Sequence, residues 1–253
     1  MRNVKYLLLP LLLAAAFALV ACGGGDSSRE GDVSCAPLSA LPAYSYEAIG
    51  ITEVRESEDP PLVINPGTQT RQLFRFVIRV DGDVQAPDKI SVVTDQGDSE
   101  TPPQGGRTIA IGETEWVFLG TTWVEKERGP FSIPYVPLDT CNAIAPDLSL
   151  AELPSTPEDV NGIASRRYQL EVPNEFFGRH PNFQASSDAA RLIETVTVDV
   201  SVAEDGNYPT RLSVKGSGEY SDGGQVLAEV GYEISDLNSP DIEIEPPCIE
   251  DCG

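Results

Sequence analysis

The chain has 253 residues, with 40 Asp and Glu against 17 Lys and Arg, for a formal charge of −23. A surface this acidic is repelled by nucleic acid and by anionic headgroups, so neither is a partner it could hold electrostatically. The length suits one sizeable domain behind a leader, and five cysteines with a single histidine leave little from which to build a zinc centre.

The first residues, MRNVKYLLLPLLLAAAFALVAC, place Arg2 and Lys5 ahead of an apolar run from Tyr6 to Ala21. That is a secretory n-region and h-region, too short for a membrane span of about 20 residues and broken by Pro10. Leu19-Val20-Ala21-Cys22 resembles the bacterial lipobox, in which the signal is cut before the cysteine and the thiol is lipidated. The resemblance implies a lipoprotein signal peptide over 1–21, a lipidated Cys22 as the mature N-terminus, and a flexible tether over 22–40 that includes GGGDSSREGD. Loss of Arg2 and Lys5 deepens the charge to −25, so a membrane attachment has to be covalent, and two acyl chains suffice for it. The expected location is extracytoplasmic, on a bacterial membrane, through that lipid.

From residue 41 the pattern is alternation of period two, the mark of half-buried strands. A strand is expected over 43–51, followed by a long exposed loop over 53–70 (EVRESEDPPLVINPGTQT). In RQLFRFVIRV, Phe74, Phe76, Ile78 and Val80 point one way, Arg75 and Arg79 the other. Strands follow at 89–94, 107–112, 115–119 and 122–127, with hairpins at Gly112-Glu113 and in FLGTTWV. PLDTCNAIAPDLSLAEL (137–153) predicts one or two short helices broken by Pro146. STPEDVNG (155–162) predicts another, with Ser155 or Thr156 as cap, Pro157 in the first turn and Gly162 as stop. ASSDAARLI (185–193) predicts a third.

RRYQLEV sets Tyr168, Leu170 and Val172 on one face, and ETVTVDVSV does the same with Val196, Val198, Val200 and Val202. A strand spans 208–220, and QVLAEVGYEIS aligns Val226, Ala228, Val230, Tyr232 and Ile234. About ten strands in sequential order, apolar on one face only, imply a curled antiparallel sheet covered on a single side by a few short helices: an α+β fold, mainly β.

With Cys22 lipidated, Cys35, Cys141, Cys248 and Cys252 remain, an even number that suggests two disulfides in an exported chain, for which three connectivities exist. The spacing in PPCIEDC permits a local Cys248–Cys252 bridge, which leaves Cys35 with Cys141. The other spacings are long and only His180 could join them, so no metal is expected. His180, in FFGRHPNF, reads as a loop residue; a hydrolase would have to run through it, and no G-x-S-x-G elbow, GxGxxG or P-loop accompanies it. DGDVQAPD and SDLNSPD are turns without EF-hand spacing. No enzyme and no cofactor are expected.

Several segments together resemble a known group. They are GDVQAPDKI (82–90), IGETEWVFLGTTW (111–123), DVNGIASRRYQL (159–170, a glycine turn into a strand), VDVSVAEDGNYPTRLSVKGSGEY (198–220) and VGYEISDLNSPDIEIEPP (230–247). Over roughly 41–247 the chain resembles the LolA-like fold, and within it the LppX/LprAFG-type lipoproteins; the 53–70 loop and the tail at 248–253 have no counterpart there. The resemblance implies an open half-barrel with helices on its concave face and an apolar cavity for a lipid or acyl chain. Phe74, Phe76, Ile78, Trp116, Phe118, Val198, Val200, Tyr232 and Ile234 are the expected lining. The opposite alternation of the second hairpin would place Val117 and Leu119 inside instead of Trp116 and Phe118. The other reading is a packed envelope module that binds a protein partner through the 53–70 loop and an acidic edge.

Overall fold

The computed structural model describes residues 31–55, 74–98, 104–130, 132–179, 192–220 and 223–249. The strands are β1 (Ala43–Arg55), β2 (Phe74–Gln85), β3 (Lys89–Asp98), β4 (Gln104–Ile111), β5 (Thr114–Phe118), β6 (Trp123–Glu127), β7 (Thr156–Val160), β8 (Ile163–Val172), β9 (Ile193–Ala203), β10 (Pro209–Glu219) and β11 (Gln225–Ser235). All eleven lie in one curled, unclosed antiparallel sheet, ordered β6-β5-β4-β3-β2-β1-β11-β10-β9-β8-β7. Two meanders run outward from a central seam where β1 pairs with β11, Tyr46 opposite Ile234 and Ala48 opposite Tyr232. The curl brings β7 back toward the seam: Asn161 Nδ2 donates to the Ile234 carbonyl at 3.0 Å, and Arg211 Nη1 donates to Glu158 at 3.3 Å.

Register puts the alternating apolar residues into continuous rows. One row runs Ala48, Tyr232, Leu212, Val200, Tyr168 across five strands. The next runs Gly50, Val230, Val214, Val198, Leu170. Three short helices lie on this face: α1 (Ala36–Ala40), α2 (Pro137–Ile144) and α3 (Glu175–Arg179). Leu38 of α1, Cys141 and Ile144 of α2, and Phe176 and Phe177 of α3 are buried in the same core as the valines of β9 to β11. Each fully buried valine or leucine contributes about 1.5–3 kcal/mol by removal from water. A disulfide joins Cys35, just before α1, to Cys141 in α2, with Cα atoms 5.8 Å apart. Arg179 of α3 forms an ion pair with Asp147 in the 3₁₀ turn after α2 (Ala145–Asp147).

The opposite face is polar. Arg167 donates to Asp199, Arg211 to Glu233 at 2.7 Å, Lys215 pairs with Glu229 at 3.2 Å, and Ser45 donates to Asp83 at 2.6 Å. The chain after β11 runs onto this face: Ile244 is buried, its N–H donates to Gln85 Oε1 at 3.2 Å, and its carbonyl accepts from Lys89 Nζ at 3.1 Å.

Several expectations are corrected. Residues 155–162 are not a helix: Thr156–Val160 is β7, joined to β8 by Asn161 and Gly162 with φ of 52° and 84°. Two successive positive φ values are the signature of a type I′ hairpin turn, for which Asn-Gly is the favoured pair. β7 is also the strand that makes eleven from about ten. β1 extends to Arg55, so the segment between β1 and β2 begins later than residue 53. Ile193 opens β9 and is no part of a helix; most of the 185–193 prediction lies outside the described residues. Residues 31–40 belong to the fold, with Cys35 and Leu38 buried, so a tether would be shorter than 22–40.

Candidate functional site

The helix-covered face is the place where a ligand would meet apolar chain, and the expected lining residues divide sharply upon it. Val198, Val200, Tyr232 and Ile234 lie at its centre, fully buried and packed among the helices. They are core, and any opening lies to either side of them. Ile78 of β2 shares the face, opposite Gly50, and is half-buried against the core. Phe76, one step nearer the strand end, is 37% exposed. The side chain of Phe74 is outside the described residues, as are Cys22, His180 and Cys252.

Trp116 and Phe118 are on the other face. Ala110, at the core, stands opposite Glu115, so Glu115 and Val117 share the covered side while Trp116 and Phe118 alternate away from it. There Trp116 donates to Glu125 at 3.1 Å, Phe118 packs on Trp123 with ring centroids 5.2 Å apart, and the Arg107 guanidinium lies 5.8 Å from the Trp123 ring centre. Val117 thus takes the inner position, whereas Leu119 follows β5 and is 61% exposed.

One flank of the packed centre carries apolar side chains that the sequence did not single out as lining. On β8, Tyr168, Leu170 and Val172 stand opposite Val200, Val198 and Val196 and remain half-buried. Together with Phe76 and Ile78 they extend the apolar surface past its filled middle.

A group of tyrosines lies deeper, at the β1–β11 seam. Tyr44 and Tyr46 alternate along β1 with Ala48, in an AYSYEA pattern whose period of two was there to be read. Tyr46 lies over Gly82, where any side chain would collide with its ring, and Tyr135 lies over Gly50 in the same way. The Tyr46 and Tyr232 hydroxyls are buried and have no hydrogen-bond partner among the described residues. Burial raises both phenols well above their ordinary range, with Tyr44 and, for Tyr46, Asp139 and Asp83 adding to the effect. Burial also pushes Tyr135 up to about 12 and raises the Asp139 carboxyl, against which Arg128 pulls down. These phenols therefore stay protonated as hydrogen-bond donors at any physiological pH.

On the uncovered face, hollows of about 290 Å³ around Gly231 and about 440 Å³ between Ile51, Leu227 and Thr197 have charged walls. A third, of about 310 Å³, lies beside Ile244 and is lined by Asp83, Ser91 and Ile109. Among the described residues no three His, Cys, Asp or Glu side chains are grouped to hold a metal ion, and no helix is long and apolar enough to cross a membrane. Cys248 is disulfide-bonded, with its partner outside the described residues.

No protein-family model matches the chain, and no curated protein does. Among solved structures it is similar to LprF from Mycobacterium bovis, at 13% identity and a TM-score of 0.44 over 85% of this chain and 93% of that one.

Proposed function

We propose that the chain is an extracytoplasmic lipoprotein, anchored through Cys22, whose covered face holds the acyl part of a lipid as a carrier or sensor and catalyses no reaction. One observation carries this reading. On the apolar face, Phe76 and Ile78 on one flank and Tyr168, Leu170 and Val172 on the other keep accessible surface beside a packed centre. An acyl chain laid against such surface gains about 0.8 kcal/mol per buried methylene, with no charged partner needed. The acidic surface fits the same role, because it keeps the domain off anionic headgroups and leaves the lipid anchor as the only attachment.

The test uses the Cys22→Ser protein and vesicles carrying a fluorescent phospholipid. Ile78→Gln and Leu170→Gln should each lower the lipid taken up by about fivefold while the unfolding midpoint shifts little, since half-buried positions lose only part of a side chain's transfer energy. Uptake equal to that of the parent in both variants would remove these flanks from the site. A second reading, a module that docks an envelope protein, is favoured by Leu119 and by Val124, 41% exposed on the edge strand β6.

A further inference from the structure

The outermost hairpin on the β2 side of the sheet, β5–β6, is apolar all round. Its nine residues from Trp116 to Val124 carry no charge, in a chain of formal charge −23. Val117 stands opposite Val124 on the covered side, and Phe118 opposite Trp123 on the other. Leu119, at the turn, is 61% exposed and Val124 is 41% exposed. Val93, in register with Arg107 and through it with Phe118, is 47% exposed. Exposed apolar surface gathered in one place marks a contact with a protein or with a membrane.

Leu119 and Val124 also carry the protein-docking alternative, and the shape of the hairpin counts against it. A protein covers one face of an edge hairpin, whereas these side chains point to both faces and out of the turn. Only a medium that closes round the hairpin buries them all. A stable protein interface also takes about 20–30 residues a side, and the hairpin offers six apolar ones. The Arg107 guanidinium, 5.8 Å from the Trp123 ring centre, adds a cation beside an indole, a pairing suited to headgroup level, where one end is apolar and the other wet. Resting on the reading above for the tether and the cargo, we infer that the β5–β6 hairpin is where the domain dips into a lipid surface, Leu119 leading. It lies on the β2 side of the seam, the flank where Phe76 and Ile78 keep accessible surface. The surface it enters is one of low net charge, because the acidic remainder of the molecule is repelled by anionic headgroups. The contact is transient. The covalent lipid remains the attachment, and a few inserted side chains suffice once a tether keeps the hairpin close.

The chain has two tryptophans, Trp116 and Trp123, and both lie in this hairpin, so their emission reports on it directly. The experiment adds vesicles of phosphatidylcholine, brominated on the acyl chains, to the Cys22→Ser protein and to a Leu119→Ser/Val124→Thr double variant. Quenching with a blue shift is expected in the parent, and a vesicle affinity lower by about tenfold in the double variant. Both substitutions are at exposed positions, so the unfolding midpoint should barely move. Dihexanoylphosphatidylcholine, supplied as monomers, should bind the double variant as it binds the parent and should bind Ile78→Gln less. Emission unchanged by vesicles in the parent overturns the inference, whatever the monomer binding shows. A double variant that holds vesicles as tightly as the parent overturns it too, by placing the contact elsewhere. Vesicles left untouched by a parent dimer that dissociates in the double variant assign the edge to protein contact and overturn it equally. Quenching in a parent that binds no monomeric lipid would sink the carrier reading and leave the hairpin contact standing.

Discussion

At the scale of the residue, the covered face is shaped as much by missing side chains as by present ones. Gly50, Gly82 and Gly216 sit in strand interiors where a Cβ would run into Tyr135, Tyr46 and Phe177 respectively. A glycine inside a strand weakens it unless another group needs the space, and each of these three gives its space to an aromatic ring. Gly216→Ala should cost about 1–3 kcal/mol, the usual penalty of overpacking, because both the Phe177 ring and the Ile193 side chain crowd the position. Gly178→Ala, in α3 with nothing near the added methyl, should be neutral or slightly stabilising. Denaturant midpoints of the two variants check the pair, and equal effects would contradict the packing described. None of the three strand glycines was legible beforehand, since a glycine in an alternating pattern says that space is needed and not which ring will take it.

At the scale of the element, the long strands were readable because one face is dry and the other wet. Val196, Val198, Val200 and Val202 against Thr195, Thr197, Asp199 and Ser201 leave no other reading, and the register bears that alternation out. β7 was not readable. Thr156, Pro157, Glu158 and Asp159 offer no apolar alternation, and Ser-Thr-Pro followed by acids imitates a helix cap, yet the Asn161-Gly162 pair behind them decides the local fold. A hairpin turn with both residues at positive φ outweighs a weak helix start. Asn161→Ala puts a Cβ without a polar group into the left-handed region and removes the bond to Ile234, so a loss of about 1–2 kcal/mol is expected from the backbone alone. Chemical denaturation measures it, and a variant as stable as the parent would contradict the role given to this turn. The Trp116 and Phe118 placement failed for a related reason. A two-residue turn sets register but leaves a five-residue strand with two apolar faces, and only the buried Glu115 opposite Ala110 shows which one is inside.

At the scale of the whole molecule, cysteine and charge patterns were more informative than motifs. The Cys35–Cys141 bridge links the chain just before α1 to α2 across 106 residues, a span for which a disulfide contributes about 4–5 kcal/mol through chain entropy. It ties two of the three covering helices together over the apolar face of a wide sheet. The sequence made that width visible in the number of its strands, but not where the filling stops. That boundary depends on which valines meet Phe176, Phe177 and Ile144, contacts made between segments far apart in the chain. The central claim is that the half-buried flanks hold lipid. The most direct test is native mass spectrometry of the Cys22→Ser protein exported by a bacterial host, before and after extraction with organic solvent. A stoichiometric added mass in the lipid range that solvent removes is the predicted result. A bare polypeptide mass that stays bare after incubation with lipid vesicles would contradict the account.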